Sequence, residues 1–241
     1  MWRGKRISVV FPTYNEKESI RGAVEDFFAQ GYVDEIIVVN NNAAPGTSEE
    51  VAKTAAREVH EPIQGYGQAI RRGLREATGD YVIVSEPDGT FQGSDMLKLL
   101  AYAEDFDYVI GTRTSRELIW AGANMGFLLK WGNWAVGKLA EFLFNSTILT
   151  DVGCTMRLIK RPLLEEIEPH FETHKNTFGL EMTLLVMKRG VRFMEIPINY
   201  RDRIGTSSVT GNKWKAFVLG MQMIGLILKV RFFRRVPRLA P

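Results

Sequence analysis

Short apolar, β-branched runs alternate along the chain with stretches whose apolar positions recur every three or four residues. Ile7–Phe11, Glu35–Val39, Tyr81–Ser85 and Tyr108–Gly111 read as buried strands. Ile20, Val24, Phe27 and Phe28 share one helical face, and further helices are expected over 68–77 and 95–103. Asn15, with Glu18 three residues on, has the spacing of a capping box for the first helix. Thr47 or Ser48 is expected to cap a second helix running to about Arg57. The order β-α-β-α-(β)-α-β-α-β predicts an α/β fold with a mostly parallel sheet and helices on both faces. Beyond it, Phe178–Arg189 has amphipathic spacing, and Arg192–Ile196 reads as a strand closed by Pro197.

From Leu118 to Phe144 the pattern changes to a long, aromatic-rich helical region, charged only at Lys130, Lys138 and Glu141. A buried helical pair covering the sheet explains it, and so does an interfacial segment with tryptophans at headgroup depth. A terminal helix over about 213–233 is apolar from Ala216 to Leu228 and basic at its end. That apolar run covers about 20 Å as a helix, short of the ~30 Å hydrocarbon core. It suits a helix lying in an anionic membrane surface, or one docked on the domain with a solvated basic tail. The resulting division is an α/β domain over 1–210, with an aromatic insertion at 115–148, and a basic helix and tail over 211–241.

Composition narrows the classes. The 241 residues are 45% hydrophobic, enough for a real core, and the net charge of +3 is too mild to suggest nucleic acid. One cysteine, Cys154, excludes an internal disulfide, and three scattered histidines argue against zinc. The N-terminus lacks the apolar stretch of a signal peptide, so a cytoplasmic location is expected.

The chemistry sits at strand ends. Glu86-Pro87-Asp88-Gly89 follows the Tyr81 strand at the carboxyl edge, where open α/β sheets place ligands. Such oxygens suit Mg²⁺ or Mn²⁺ shared with phosphates, although Pro-Asp-Gly is also ordinary turn chemistry. Asn40, Asn41 and Asn42 end the second strand, and Gly65-Tyr66-Gly67 precedes a helix. Tyr200–Ser208 is a loop rich in cations and hydroxyls, fit to clamp a phosphate or to stand in solvent.

Taken in order, these stretches resemble family 2 glycosyltransferases of the GT-A fold, and the polyprenyl-phosphate sugar transferases similar to dolichyl-phosphate mannose synthase in particular. The matching segments are Val10–Glu16 (VFPTYNE), Glu35–Val39 with Gly46 and Thr47, Gly65–Ala69 (GYGQA) with Gly73, Ala77–Tyr81, Asp88–Phe91 (DGTF), Ile110–Arg113 (IGTR), Thr150 and Asp151 through Arg157, and Arg203–Ser207 (RIGTS). The resemblance implies a UDP- or GDP-sugar donor bound by Pro12, Tyr14, Glu16, Asn40, Asn41, Gly67, Asp88, Arg203 and Ser207. It implies Glu86 and Asp88 as ligands of Mg²⁺ or Mn²⁺, Asp151 as the catalytic residue, and Arg113, Lys130 and Arg157 around an acceptor phosphate. The family usually carries aspartates at Asn40, Asn41 and Glu86, which leaves room for a nucleotide-binding module of weakened chemistry. The implied reaction is inverting transfer to a polyprenyl phosphate by a peripheral protein at the inner membrane face. The same fold acting on a soluble or glycan hydroxyl is the alternative. The aromatic region suits a second subunit as well as lipid, so a homo-oligomer is compatible with it.

Overall fold

The computed structural model describes residues 1–119, 127–205 and 213–237. The five expected strands are present as β1 (Ile7–Thr13), β2 (Glu35–Asn40), β4 (Tyr81–Val84), β5 (Tyr108–Thr112) and β7 (Phe193–Pro197). They are joined by β3 (Arg57–His60) and β6 (Arg157–Lys160) in one seven-stranded sheet, ordered β3-β2-β1-β4-β6-β5-β7. All pairings are parallel except those of β6, which runs antiparallel between β4 and β5. The sheet is therefore mostly parallel, as the alternating pattern predicts.

Strand residues alternate between two cores, as a period of two requires. Val10, Ile37, Val39, Val82 and Val84 face α3 (Tyr66–Glu76), α6 (Arg161–Ile167) and α7 (Phe178–Arg189). Ile7, Val9, Phe11, Ile36, Val38 and Ile83 face α1 (Ile20–Ala29), α2 (Thr47–Val51) and α4 (Gly93–Tyr102). Gly73 of α3 lies so close to the sheet that a Cβ there would stand 2.2 Å from Val10 Cγ1. That approach requires a glycine.

Three local expectations are corrected. Helix α1 starts at Ile20 behind Ser19, without a side-chain cap. Glu16 instead turns back to accept from the backbone N–H groups of Tyr14 (2.6 Å) and Asn15 (2.8 Å). Helix α2 stops at Val51 rather than near Arg57, because residues 57–60 pair with Ile37–Asn40 at the sheet edge. Tertiary pairing there overrides local helix preference. The region from Leu118 to Phe144 is not a helical pair among the described residues: a 3₁₀ turn (Arg116–Leu118) is followed by α5 (Phe127–Phe144).

The partner of α5 is the terminal helix α8 (Lys213–Phe232). Val136 and Ala140 of α5 and Met223, Leu226, Ile227 and Val230 of α8 are buried in the first core. The outer face stays aromatic: Trp131 and Trp134 pack edge to face, Trp214 stacks on Phe217, and Phe142 is 82% exposed. The basic end of α8 is largely docked. Arg234 meets Glu181 and Glu172, each at 2.6 Å, and Lys229 meets Glu172. The inner face of the helix pair thus covers the core, and the outer face presents aromatics. Among the described residues, no helix is long and apolar enough to cross a membrane.

Candidate active site

A cavity of about 420 Å³ opens at the carboxyl ends of β1, β2 and β4. Its lining includes Pro12, Tyr14, Glu16 and Asn41, the charged Glu86, Arg113 and Arg203, and Leu219 and Met223 of α8. Segments far apart in sequence converge here because parallel strands deliver their following loops to one edge.

Glu86 and Asp88 lie either side of one guanidinium. Arg203 Nη2 stands 3.0 Å from Glu86 Oε2 and 2.6 Å from Asp88 Oδ2. Gly89 follows at φ +83°, a left-handed turn that suits glycine. The Arg203 loop is seated on that turn, with Ile204 N–H donating to the Asp88 carbonyl at 2.8 Å. The far oxygens are tied inward: Asp88 Oδ1 accepts from the Thr90 N–H and hydroxyl, and Glu86 Oε1 from Tyr66 and Thr155. Burial, then the charge of Glu86, pushes the Asp88 carboxyl up to about 6. Burial would raise Glu86 too, but the Arg203 charge and its hydroxyl donors outweigh it and hold that carboxyl below its ordinary value.

This pair fits a divalent cation. Asp88 Oδ2 is buried and without a hydrogen-bond partner of good geometry, with the Arg203 guanidinium 2.6 Å away. Two hard carboxylate oxygens converging on one point are the ligands that Mg²⁺ or Mn²⁺ takes beside a phosphate.

Asp151 is buried and its carboxylate accepts five hydrogen bonds. They come from Arg113 N, Nε and Nη2 at 3.0, 2.8 and 2.9 Å, Asn133 Nδ2 at 3.3 Å and Gly153 N–H at 3.1 Å. Burial alone would raise its proton affinity, but the Arg113 charge and the hydrogen bonds hold it below the ordinary aspartate value. Such a carboxylate holds a guanidinium in place and is a poor proton acceptor. Arg113 is braced again by Tyr200, whose ring centre lies 5.1 Å away. The Arg113 side chain forms part of the cavity wall.

Other expected residues are placed differently. Arg157 touches the cavity, but its guanidinium donates to the carbonyls of Thr155, Cys154 and Gly179 and to the Tyr108 hydroxyl. It braces the fold behind the site. Lys130 Nζ donates to the Thr114 carbonyl at 2.8 Å, one residue beyond Arg113. Asn40 is turned away from the cavity, donating to Ser48 and Glu58. Gly67 packs against the backbone of His174 and Lys175 and against Phe178, where a Cβ would clash. Ser207 lies outside the described residues.

Asn41 lines the cavity with its amide already engaged. Nδ2 donates to the carbonyls of Glu61 (2.7 Å) and Ile63 (2.8 Å), and Oδ1 accepts from Gly65 N–H (2.8 Å) and Gln64 Nε2. It straps the 61–65 loop to the end of β2, which an aspartate could not do, having no hydrogens to donate. The Asn41→Asp protein is expected to lose about 1–3 kcal/mol of stability, the scale of the two hydrogen bonds it can no longer donate, measured by urea unfolding. Unchanged stability would show that the strap carries no weight.

Sequence reading gave no role to Tyr66, Thr155 and Tyr200, although they lie within segments it singled out, and it passed over Asn133. Each acts by touching a residue of a distant segment, a pairing that the linear sequence does not show.

Comparison with known proteins gives the family and the fold. The family model for Glycosyl transferase family 2 matches residues 8–168. The chain belongs to this family. It is a glycosyltransferase, and its sheet and helices form the GT-A fold. It is 29% identical over 206 residues to the dolichyl-phosphate hexose transferase of Haloferax volcanii, covering 84% of this chain and 86% of that protein. It is 27% identical over 201 residues to glycosyltransferase AglJ of the same organism, covering 82% of this chain and 63% of that protein. Among solved structures, glucosyl-3-phosphoglycerate synthase from Mycobacterium tuberculosis, in complex with Mn²⁺, UDP and glucosyl-3-phosphoglycerate, superimposes with a TM-score of 0.75. That likeness spans 96% of this glycosyltransferase and 82% of the synthase at 17% identity.

Proposed function

We propose that this glycosyltransferase moves one sugar from a nucleotide-sugar donor to a polyprenyl phosphate at a membrane surface, inverting the anomeric carbon. The observation that carries the reading is Arg113. Asp151 fixes this guanidinium at the wall of a cavity whose further lining residues include Leu219 and Met223 of α8. Helix α8 also presents Trp214 and Phe217 to the outside. One cavity therefore offers a cation for a phosphate and apolar lining from a helix that also carries exposed aromatics, which suits a phosphate carried on a lipid. The name of the Haloferax relative points the same way.

The donor, a UDP- or GDP-sugar, would lie along Pro12, Tyr14, Glu16 and Asn41, its diphosphate towards Arg203. Glu86 and Asp88 would hold Mg²⁺ or Mn²⁺, which supplies neutralisation of the charge gathering on the departing diphosphate. Arg203 would pass from the two carboxylates to the diphosphate oxygens as the donor enters. Arg113, with Lys130 behind it, would align the acceptor phosphate. An acceptor phosphate oxygen attacks the anomeric carbon while the bond from that carbon to the diphosphate oxygen breaks, and the nucleoside diphosphate leaves with the electron pair. A phosphate oxygen is already ionised near neutral pH, so no base is required. That accords with an Asp151 whose oxygens are fully engaged.

A soluble acceptor is the second reading, favoured by the solved synthase, which was captured with glucosyl-3-phosphoglycerate. The deciding experiment pairs UDP- and GDP-sugars with polyprenyl phosphate in detergent, with phosphoglycerate and with saccharides, with and without a chelator. Chelator-sensitive formation of a glycosyl lipid is the expected result. Product on phosphoglycerate or a saccharide alone would establish the second reading. Nucleotide binding with no product on any acceptor would show a binding module.

A further inference from the structure

Glu86 is seated by two hydroxyl groups from distant segments, at a reach that matches its side-chain length. Tyr66, the first residue of α3, donates its hydroxyl hydrogen bond to Glu86 Oε1 at 2.9 Å. Thr155, just before β6, donates to the same oxygen at 2.8 Å, and the two hydroxyls are themselves 2.9 Å apart. The three groups close a triangle that fixes one carboxylate oxygen and leaves Oε2 facing Arg203 and Asp88. An aspartate would draw the carboxylate back by about 1.5 Å, one carbon–carbon bond, and out of reach of both hydroxyls.

We propose that Tyr66 is a positioning residue for the donor site. Together with Thr155 it holds the longer Glu86 arm so that Glu86 Oε2 and Asp88 Oδ2 converge on the same point. The assignment rests on the reading that these two carboxylates take a divalent cation with the donor diphosphate. It explains how a glutamate serves at this position: the extra length is taken up by the two hydroxyls.

The test is Mn²⁺ binding followed by electron paramagnetic resonance, with UDP or GDP present, in the wild type and in Tyr66→Phe, Thr155→Val, Glu86→Asp and the Tyr66→Phe/Glu86→Asp double variant. Tyr66→Phe is expected to weaken nucleotide-dependent Mn²⁺ retention about 10-fold, the scale of one hydrogen bond to a charged group, and Thr155→Val to do the same from a separate segment. Binding of the nucleotide in chelator should be unchanged, which a general loss of fold would not permit. In the Glu86→Asp background Tyr66→Phe should cost nothing further, since the contact is already gone. Full Mn²⁺ retention in both single hydroxyl variants, or losses that multiply in the double variant, would overturn the assignment while leaving the cation reading intact. A wild type that retains no Mn²⁺ with either nucleotide would overturn both.

Discussion

The Asp151→Ala protein is expected to lose about 3–5 kcal/mol of stability, because removing one partner leaves the other charge of a buried pair uncompensated. Its carboxylate is fully buried and the Arg113 side chain is 12% exposed, so solvent screens the pair little. The pH dependence has a definite sign. The Asp151 proton affinity is lowered in the folded state, below the ~3.9 of a free aspartate. Its contribution is therefore present above that value and is lost as pH falls through the lower folded-state value. Urea unfolding should show the full difference between the wild type and Asp151→Asn at pH 7, and a narrowing difference below pH about 4. Kinetics separate the two roles open to this residue. If Asp151 holds Arg113 for an acceptor phosphate, Asp151→Asn raises the acceptor KM more than it lowers kcat. A loss of about 10²–10⁴ in kcat at unchanged KM, the range for a missing general base, would return Asp151 to proton transfer and favour a hydroxyl acceptor.

The strands that sequence reading found are those whose residues carry the signal themselves. Ile7–Phe11 and Glu35–Val39 are apolar and β-branched, and they remain strands in any packed α/β context. The strands it missed take their form from neighbours. Three of the four residues of Arg57–His60 are polar, and the segment becomes extended by pairing with β2, while Arg157–Lys160 fills the gap between β4 and β5. The site divides the same way. Glu86, Asp88, Arg113, Asp151 and Arg203 stand in short motifs at loop positions, and the fold brings Glu86, Arg113 and Arg203 to one cavity, with Asp88 and Asp151 paired to the two arginines. What those residues do to one another was not legible. Asp151 is acidic and loop-borne like a base, yet its five donors come from three segments and turn it into an anchor. Asn41 looks like a ligand contact, yet its hydrogens go to the backbone of a loop some twenty residues further on. Arg157 reads as a free cation, yet carbonyls that belong to other turns surround it. In each case the deciding quantity is the number of partners already engaged, and that depends on three-dimensional packing.

Asp88→Ala is expected to reduce transfer about 10²–10³-fold, since charge neutralisation of a leaving diphosphate is worth several kcal/mol and each 1.36 kcal/mol is a factor of ten. Asp88 is the sharper probe of the two carboxylates because its oxygens divide their work. Oδ1 takes the Thr90 donors, and Oδ2 faces only Arg203. The loss should be accompanied by loss of Mn²⁺ retained with nucleotide, read by paramagnetic resonance, and excess Mn²⁺ should not restore the rate. Arg203→Ala tests the other half of the arrangement. The guanidinium now bridges both carboxylates, so removing it strips a positive charge from the place where a cation would sit. Mn²⁺ binding without nucleotide should then strengthen, while donor affinity falls because a phosphate contact is gone. Opposite movements of metal and donor affinity are what a guanidinium shared between carboxylates and diphosphate requires. If Arg203→Ala weakens both, its place is structural, and the exchange of partners on donor entry is wrong. If Asp88→Ala keeps its rate, this pair takes no part in neutralising the leaving group, and the positive charge beside the departing diphosphate would have to come from Arg203.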